Sequence, residues 1–157
     1  MPLTIDLFTD IVCPWCLIGT RRIENVLASL GDPVEVDLVH HPFLLDPATP
    51  PEGVHVPTML RRKYGTDPTA AFARVEAEAH RSGIDLDSSK QQYSSPSVMA
   101  HTLVRHARRR GTQRALAQDL FAAHFLEARN ISDIPTLVEI AGRHGFEAEE
   151  AEALVRN

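Results

Sequence analysis

The sequence predicts a chain of the α/β class, in which a strand–helix–strand unit is followed by an all-helical region, and three observations carry that expectation. An apolar stretch, Leu3 to Phe8, leads through Thr9-Asp10-Ile11-Val12 into a segment with helical periodicity. A second stretch, Val34-Glu35-Val36-Asp37-Leu38-Val39, alternates as a half-buried strand does. Beyond a proline-rich connector every periodic segment has the helical spacing. The division falls at residue 48, with a βαβ part over 1–48 and a helical part over 49–157.

In chain order, the first strand is Leu3 to Phe8, and the first helix carries Gly19, Ile23, Val26, Leu27 and Leu30 on one face. Gly31-Asp32-Pro33 makes a turn into the second strand, whose crossover is expected to be right-handed. His40-His41-Pro42-Phe43 closes that strand. These histidines could supply a proton or a ligand, but a strand end with one ring packed and one wet is the reading we favour.

Leu44 to Pro57, with Pro47, Pro50, Pro51 and Pro57, is an ordered connector. A short helix then spans Pro57 to Tyr64 and stops at Gly65. Asp67-Pro68 caps the next, with Phe72, Val75 and Ala79 inward and Gly83 after its last turn; Ile84 to Ser95 is loop-like. Ser97 to Arg110 is a helix with Met99, Leu103 and His106 on one stripe, and Thr112 to Glu127 another, with Leu116, Leu120, Phe121 and Phe125 inward. Ser132-Asp133-Ile134-Pro135 opens a helix carrying Leu137, Ile140 and Ala141, and Glu147 to Arg156 forms a last, acidic one.

The 157 residues are enough for one domain with a sizeable core, and 43% hydrophobic with 24% charged is the balance of a soluble globular protein. A net charge of -5 gives no reason to expect nucleic acid or an anionic membrane as partner. Met1-Pro2-Leu3-Thr4-Ile5-Asp6 has neither a basic region nor an apolar core, so the expected location is the cytoplasm. In a reducing compartment a lone pair of cysteines is more often catalytic or metal-binding than a structural staple.

Both cysteines lie in Cys13-Pro14-Trp15-Cys16, at the junction of the first strand and the first helix. With Pro14 at the first helical position, Cys13 becomes the N-cap, and the amides of Trp15 and Cys16 point toward its sulfur. Those donors and the positive end of the helix dipole favour a thiolate. Cys16, one turn on and deeper, can resolve a mixed disulfide formed at an exposed Cys13. Pro14 and Trp15 are the redox-tuning positions between the sulfurs and bring no ionisable donor. Two other readings stay open: half of a zinc site, with His40 and His41 the nearest candidate ligands, or two inert core cysteines. The Arg108-Arg109-Arg110 run is expected to face water at a helix C-terminus, and His101, His106 and His124 have no metal-type spacing.

With this motif after a first strand and a helical block after the second, the chain resembles the DsbA family, in particular its FrnE-like cytoplasmic branch. Asp10 to Gly19 is similar to the branch's active-site segment, while Pro51-Glu52-Gly53, Leu60 to Gly65, Ala100-His101 and Asn130-Ile131-Ser132-Asp133 are similar to its helical insert. The resemblance implies a thioredoxin-like fold with a large α-helical insertion, lacking the usual C-terminal strand-strand-helix. It also implies dithiol–disulfide oxidoreductase activity, with Cys13 attacking and Cys16 resolving. The expected partners are protein or small-molecule thiols and disulfides, with glutathione a candidate thiol partner and no bound cofactor or metal.

Related glutathione-dependent isomerases of hydroxychromene carboxylates usually have serine at the attacking position, so Cys13 favours redox work. The alternatives are such an isomerase or transferase, in which Cys13 activates the thiol, and a redox-inactive binding or chaperone-like module. Pro96-Ser97-Val98 departs from the branch's usual Pro-Asn-Thr-like helix start. Two strands would leave one edge of the first strand open, so this chain is expected either to be part of a longer polypeptide or to pair that edge with another chain.

Overall fold

The computed structural model describes residues 2–31, 35–65 and 67–157; Asp32 and Pro33 of the expected turn, and Val34 of the expected strand, lie outside them. Strand β1 (Leu3–Thr9) and strand β2 (Val36–Pro42) pair in parallel, with Leu3 opposite Val36 and Thr9 opposite Pro42. Helix α1 (Pro14–Leu30) connects them, which gives the expected βαβ unit.

The outer edge of β2 is sealed by a side chain. Gln113 accepts the His40 N–H at 3.1 Å and donates to the His40 carbonyl at 3.1 Å, so its amide stands where a neighbouring strand would. A further bond to the Val104 carbonyl at 3.2 Å satisfies the buried amide and ties it to the helical block.

That block begins after the connector. Strand β3 (Val54–His55) runs into α2 (Val56–Tyr64), which ends at Gly65 in the left-handed conformation, and α3 (Thr69–Arg81) follows. Strand β4 (Tyr93–Ser94) pairs antiparallel with β3, within the stretch expected to be loop. Two residues on each side are too few to show a period, which is why the pattern misses the pair. Gly53 enters it at φ 80°, and a Cβ there would lie 2.9 Å from the Ser94 carbonyl oxygen, so the close approach requires glycine.

Helix α4 (Val98–Ala107) continues as a short 3₁₀ turn, Arg108–Arg110, before Gly111. Then come α5 (Gln113–Phe125), α6 (Ile134–Gly142) and α7 (Ala148–Arg156). Asp133 caps α6 as expected, its carboxylate accepting the Thr136 N–H at 3.0 Å. Helices α4 and α5 pack on β2, and α3 on α1, so one continuous core joins Ile11, Leu17 and Ile18 to Leu103, Leu116, Phe121, Leu137 and Ile140.

Two helical faces differ from expectation. Helix α1 buries Leu17, Ile18 and Thr20, whereas Val26 and Leu30 on the expected stripe are 55% and 50% exposed. The helix has apolar residues on two sides, and the block covers only one of them. Helix α4 turns Ala100, His101, Leu103, Val104 and Ala107 inward and leaves His106 exposed, because His101 is buried by a polar partner that the apolar pattern does not reveal. The arginine run is exposed, with Arg108 paired to Asp37 of β2 and Arg110 to Glu150 of α7. Among the described residues no helix is long and apolar enough to cross a membrane.

Candidate redox site at the start of the first helix

Thr9 ends β1 and Asp10-Ile11-Val12 turns the chain, the Cys13 N–H donating to the Asp10 carbonyl at 3.0 Å. Cys13 then has extended dihedrals, φ -93° and ψ 114°, and is the N-cap of α1, with Pro14 in its first turn. Its sulfur accepts the Cys16 N–H at 3.4 Å. The expected cap is therefore present, and the chain's two cysteines, both free, share the first turn of the helix.

The surroundings separate the two thiols. The Cys16 side chain, donating to the Cys13 sulfur, lowers the Cys13 pKa from the ordinary 9.0 to about 7. Burial opposes that shift, the Cys16 and Trp15 amides add to it, and the charge of Asp10 works against it. The same bond, together with burial, pushes the Cys16 thiol upward, so Cys16 keeps its proton. One sulfur is poised as a thiolate and its neighbour as the thiol that stabilises it.

Exposure reverses the expectation. Cys13, expected to be open, is only 9% exposed, while Cys16, expected to be deeper, is half-buried. The reason is the cap itself: a side chain that accepts from the helix amides is drawn back over the first turn. Trp15 points outward, with the Arg74 guanidinium 5.7 Å from its ring centre.

His40 and His41 divide as one packed ring and one wet ring. His41 is solvent-accessible, bonded to Asp6 at 2.7 Å and stacked on Phe8 at 4.8 Å. The ring nitrogens of His40 are buried without partners, and burial pushes its pKa down to about 4. Among the described residues no three His, Cys, Asp or Glu side chains stand together as a metal cluster.

Beneath the thiols lies a residue pair that the pattern reading does not identify. Asp10 is 2% exposed, and its Oδ1 is 3.2 Å from Nε2 of His101 in α4, itself 5% exposed. Burial raises the Asp10 pKa, but the bonds from His101, Ser97 and the Leu45 N–H outweigh it, so the carboxyl is held below its usual range. An aspartate in the turn before a capping cysteine was the available signal; its partner, 91 residues on, lies in the Ala100-His101 segment similar to the helical insert, but no spacing links it to Asp10.

The sequence family described as the DSBA-like thioredoxin domain matches residues 4–157. A crystal structure of a probable DsbA oxidoreductase from Streptomyces coelicolor is similar over 99% of this chain and 68% of its own, at 31% identity and a TM-score of 0.85. A 2-hydroxychromene-2-carboxylate isomerase has the same fold at 13% identity and a TM-score of 0.72, covering 99% of this chain and 72% of its own. The cytosolic disulfide reductase DsbM from Pseudomonas aeruginosa, solved with GSH, has it at 20% identity and a TM-score of 0.62, covering 98% and 72%. Among curated proteins none matches the chain.

Proposed function

The chain belongs to the DSBA-like thioredoxin domain family, and from that premise we propose that it is a thiol–disulfide oxidoreductase working through Cys13 and Cys16. The observation that carries this reading is the Cys13 sulfur at the mouth of α1, bonded by the Cys16 N–H at 3.4 Å, with a pKa of about 7. In the reducing direction the Cys13 thiolate attacks one sulfur of a substrate disulfide, and the other sulfur leaves as a thiolate. Cys16 then gives up its proton and attacks the Cys13 sulfur, which expels the second substrate thiolate. Two electrons have passed to the substrate, and the protein is left with a Cys13–Cys16 disulfide. The oxidising direction is the same sequence run backwards. Pro14 and Trp15 act as tuning positions, Pro14 by opening the helix at the cap and Trp15 by contributing an amide to the Cys13 sulfur.

The substrates we propose are protein or small-molecule disulfides, with glutathione as the small thiol partner and the cytoplasm as the compartment. A lone thiol pair suits a reducing setting, and a relative of the same fold is a cytosolic reductase solved with glutathione. We further assign the outer edge of β1, unpaired among the described residues, to a strand from more polypeptide or from another chain.

Replacing Cys16 with serine removes the resolving step and tests the assignment. The expected result is a mixed disulfide between Cys13 and one half of a model disulfide or of glutathione disulfide, the other half leaving as a thiolate, detected by mass and released by reductant. If none accumulates while Cys13 still reacts with an alkylating agent, the reading fails. Catalysis that survives in the same variant would favour the glutathione-dependent isomerase alternative.

A further inference from the structure

The Asp10–His101 pair joins the turn that carries the thiols to the helical block. Donors from separate parts of the chain converge on the carboxylate. His101 Nε2 from α4 lies 3.2 Å from Oδ1, the Leu45 N–H from beyond β2 lies 2.9 Å from Oδ2, and the Val12 N–H lies 3.5 Å from Oδ1. Ser97, ahead of α4, adds a hydroxyl. A carboxylate held in this way inside a protein is a fixed post, because losing any donor leaves buried charge uncompensated.

Cys13 hangs from that post. Its N–H is bonded to the Asp10 carbonyl at 3.0 Å. The carboxylate charge reaches both sulfurs and opposes a thiolate on either. Its other titratable neighbour is His124 from α5, while His40 from β2 faces His101; burial pushes the pKa of each to about 4, so both are neutral at pH 7. The donor supplied by His101 is thus the main side-chain control on this charge.

We propose that His101 is a positioning residue for the thiol pair: by bonding Asp10 it fixes the turn that presents Cys13 and screens the carboxylate, so that α4 sets the reactivity of the two cysteines. The proposal deepens the oxidoreductase reading and, for its redox consequence, rests on it.

The test uses His101→Gln, His101→Leu and Asp10→Asn. One readout is the pH profile of Cys13 alkylation by iodoacetamide, taken in a Cys16→Ser background. The other is the equilibrium of the intact pair with glutathione and its disulfide. Glutamine can still donate to Asp10, so His101→Gln should stay near the parent in both readouts. In His101→Leu the carboxylate is less screened, so the alkylation midpoint should rise, by up to about one pH unit or tenfold in acidity, and the equilibrium should move toward the disulfide. Asp10→Asn removes the charge at nearly constant shape and should move both readouts the other way.

Thermal melts identify which variants fold; if the leucine variant does not, Asp10→Asn and His101→Gln carry the comparison. A folded His101→Leu or Asp10→Asn variant whose alkylation profile superposes on the parent would overturn the proposal, as would a His101→Gln profile displaced as far as that of His101→Leu. The alkylation readout needs no redox turnover. Shifted profiles without exchange in any variant would therefore refute the oxidoreductase reading and leave the positioning role standing.

Discussion

Replacing Cys13 with serine is expected to reduce disulfide exchange to the uncatalysed background while leaving the fold in place. Serine is itself a favourable N-cap, so the hydroxyl can accept the Cys16 N–H that the sulfur accepts now, and the start of α1 is kept. What is lost is the nucleophile, since a hydroxyl at neutral pH cannot replace a thiolate. The measurements are the rate of reduction of a model disulfide and a thermal melt: activity absent, melting temperature little changed. In the unaltered protein the rate should rise with pH and reach half its plateau near pH 7, because the Cys13 pKa is lowered to about 7. A midpoint near the ordinary thiol value of 9.0 would show that the cap does not activate the sulfur.

The same shift affects stability, with a definite sign. A thiol whose pKa falls on folding stabilises the reduced protein fully above its unfolded value, and this stabilisation is lost as pH drops through about 7. Cys16, whose proton is held more tightly in the folded state, opposes that gain only above the ordinary thiol range.

The second large effect is on the core. Phe121→Ala should destabilise the protein by about 3–5 kcal/mol, measured by chemical denaturation of the reduced form. Phe121 is 1% exposed and, with Leu17, Thr20, Glu24 and Gln118, lines a narrow surface cleft between α5 and α1. The ring belongs to the continuous core that includes Leu17 and Ile18, and a packed core relaxes only partly around a deleted side chain, so much of the vacated space should remain open. Because Leu17 follows Cys16 directly, the change should also loosen the helix under the thiols. A loss below about 1 kcal/mol would mean that α1 does not depend on this contact.

Features governed by neighbouring residues could be read from the sequence. Pro14 after Cys13 and Asp133 before Ile134-Pro135 are capping signals spanning a few positions, and both helices begin where those signals place them. The inward face of α5 follows the helical period because that helix is covered along its length, as burial of Leu116, Leu120, Phe121 and Phe125 shows. The buried side of α1 was not legible, because apolar residues on two sides of one helix leave the choice to whatever packs against it. Nor could a local pattern show that Cys13 folds back over its helix, or that Gln113 and His101 are inside. A polar side chain is buried when its partner arrives, and these partners lie 73 and 91 residues away.

The small sheet, finally, is lopsided. On the β2 side the Gln113 amide has taken both groups of His40, so no strand can add there without displacing it. On the other side, Leu3, Ile5, Leu7 and Thr9 direct their backbone groups toward β2, leaving those of Thr4, Asp6 and Phe8 facing away. Growth of this sheet therefore runs in one direction only. A newcomer would meet that two-residue rhythm, so it could shift along β1 by pairs of residues but not by single ones without turning its side chains to the opposite face.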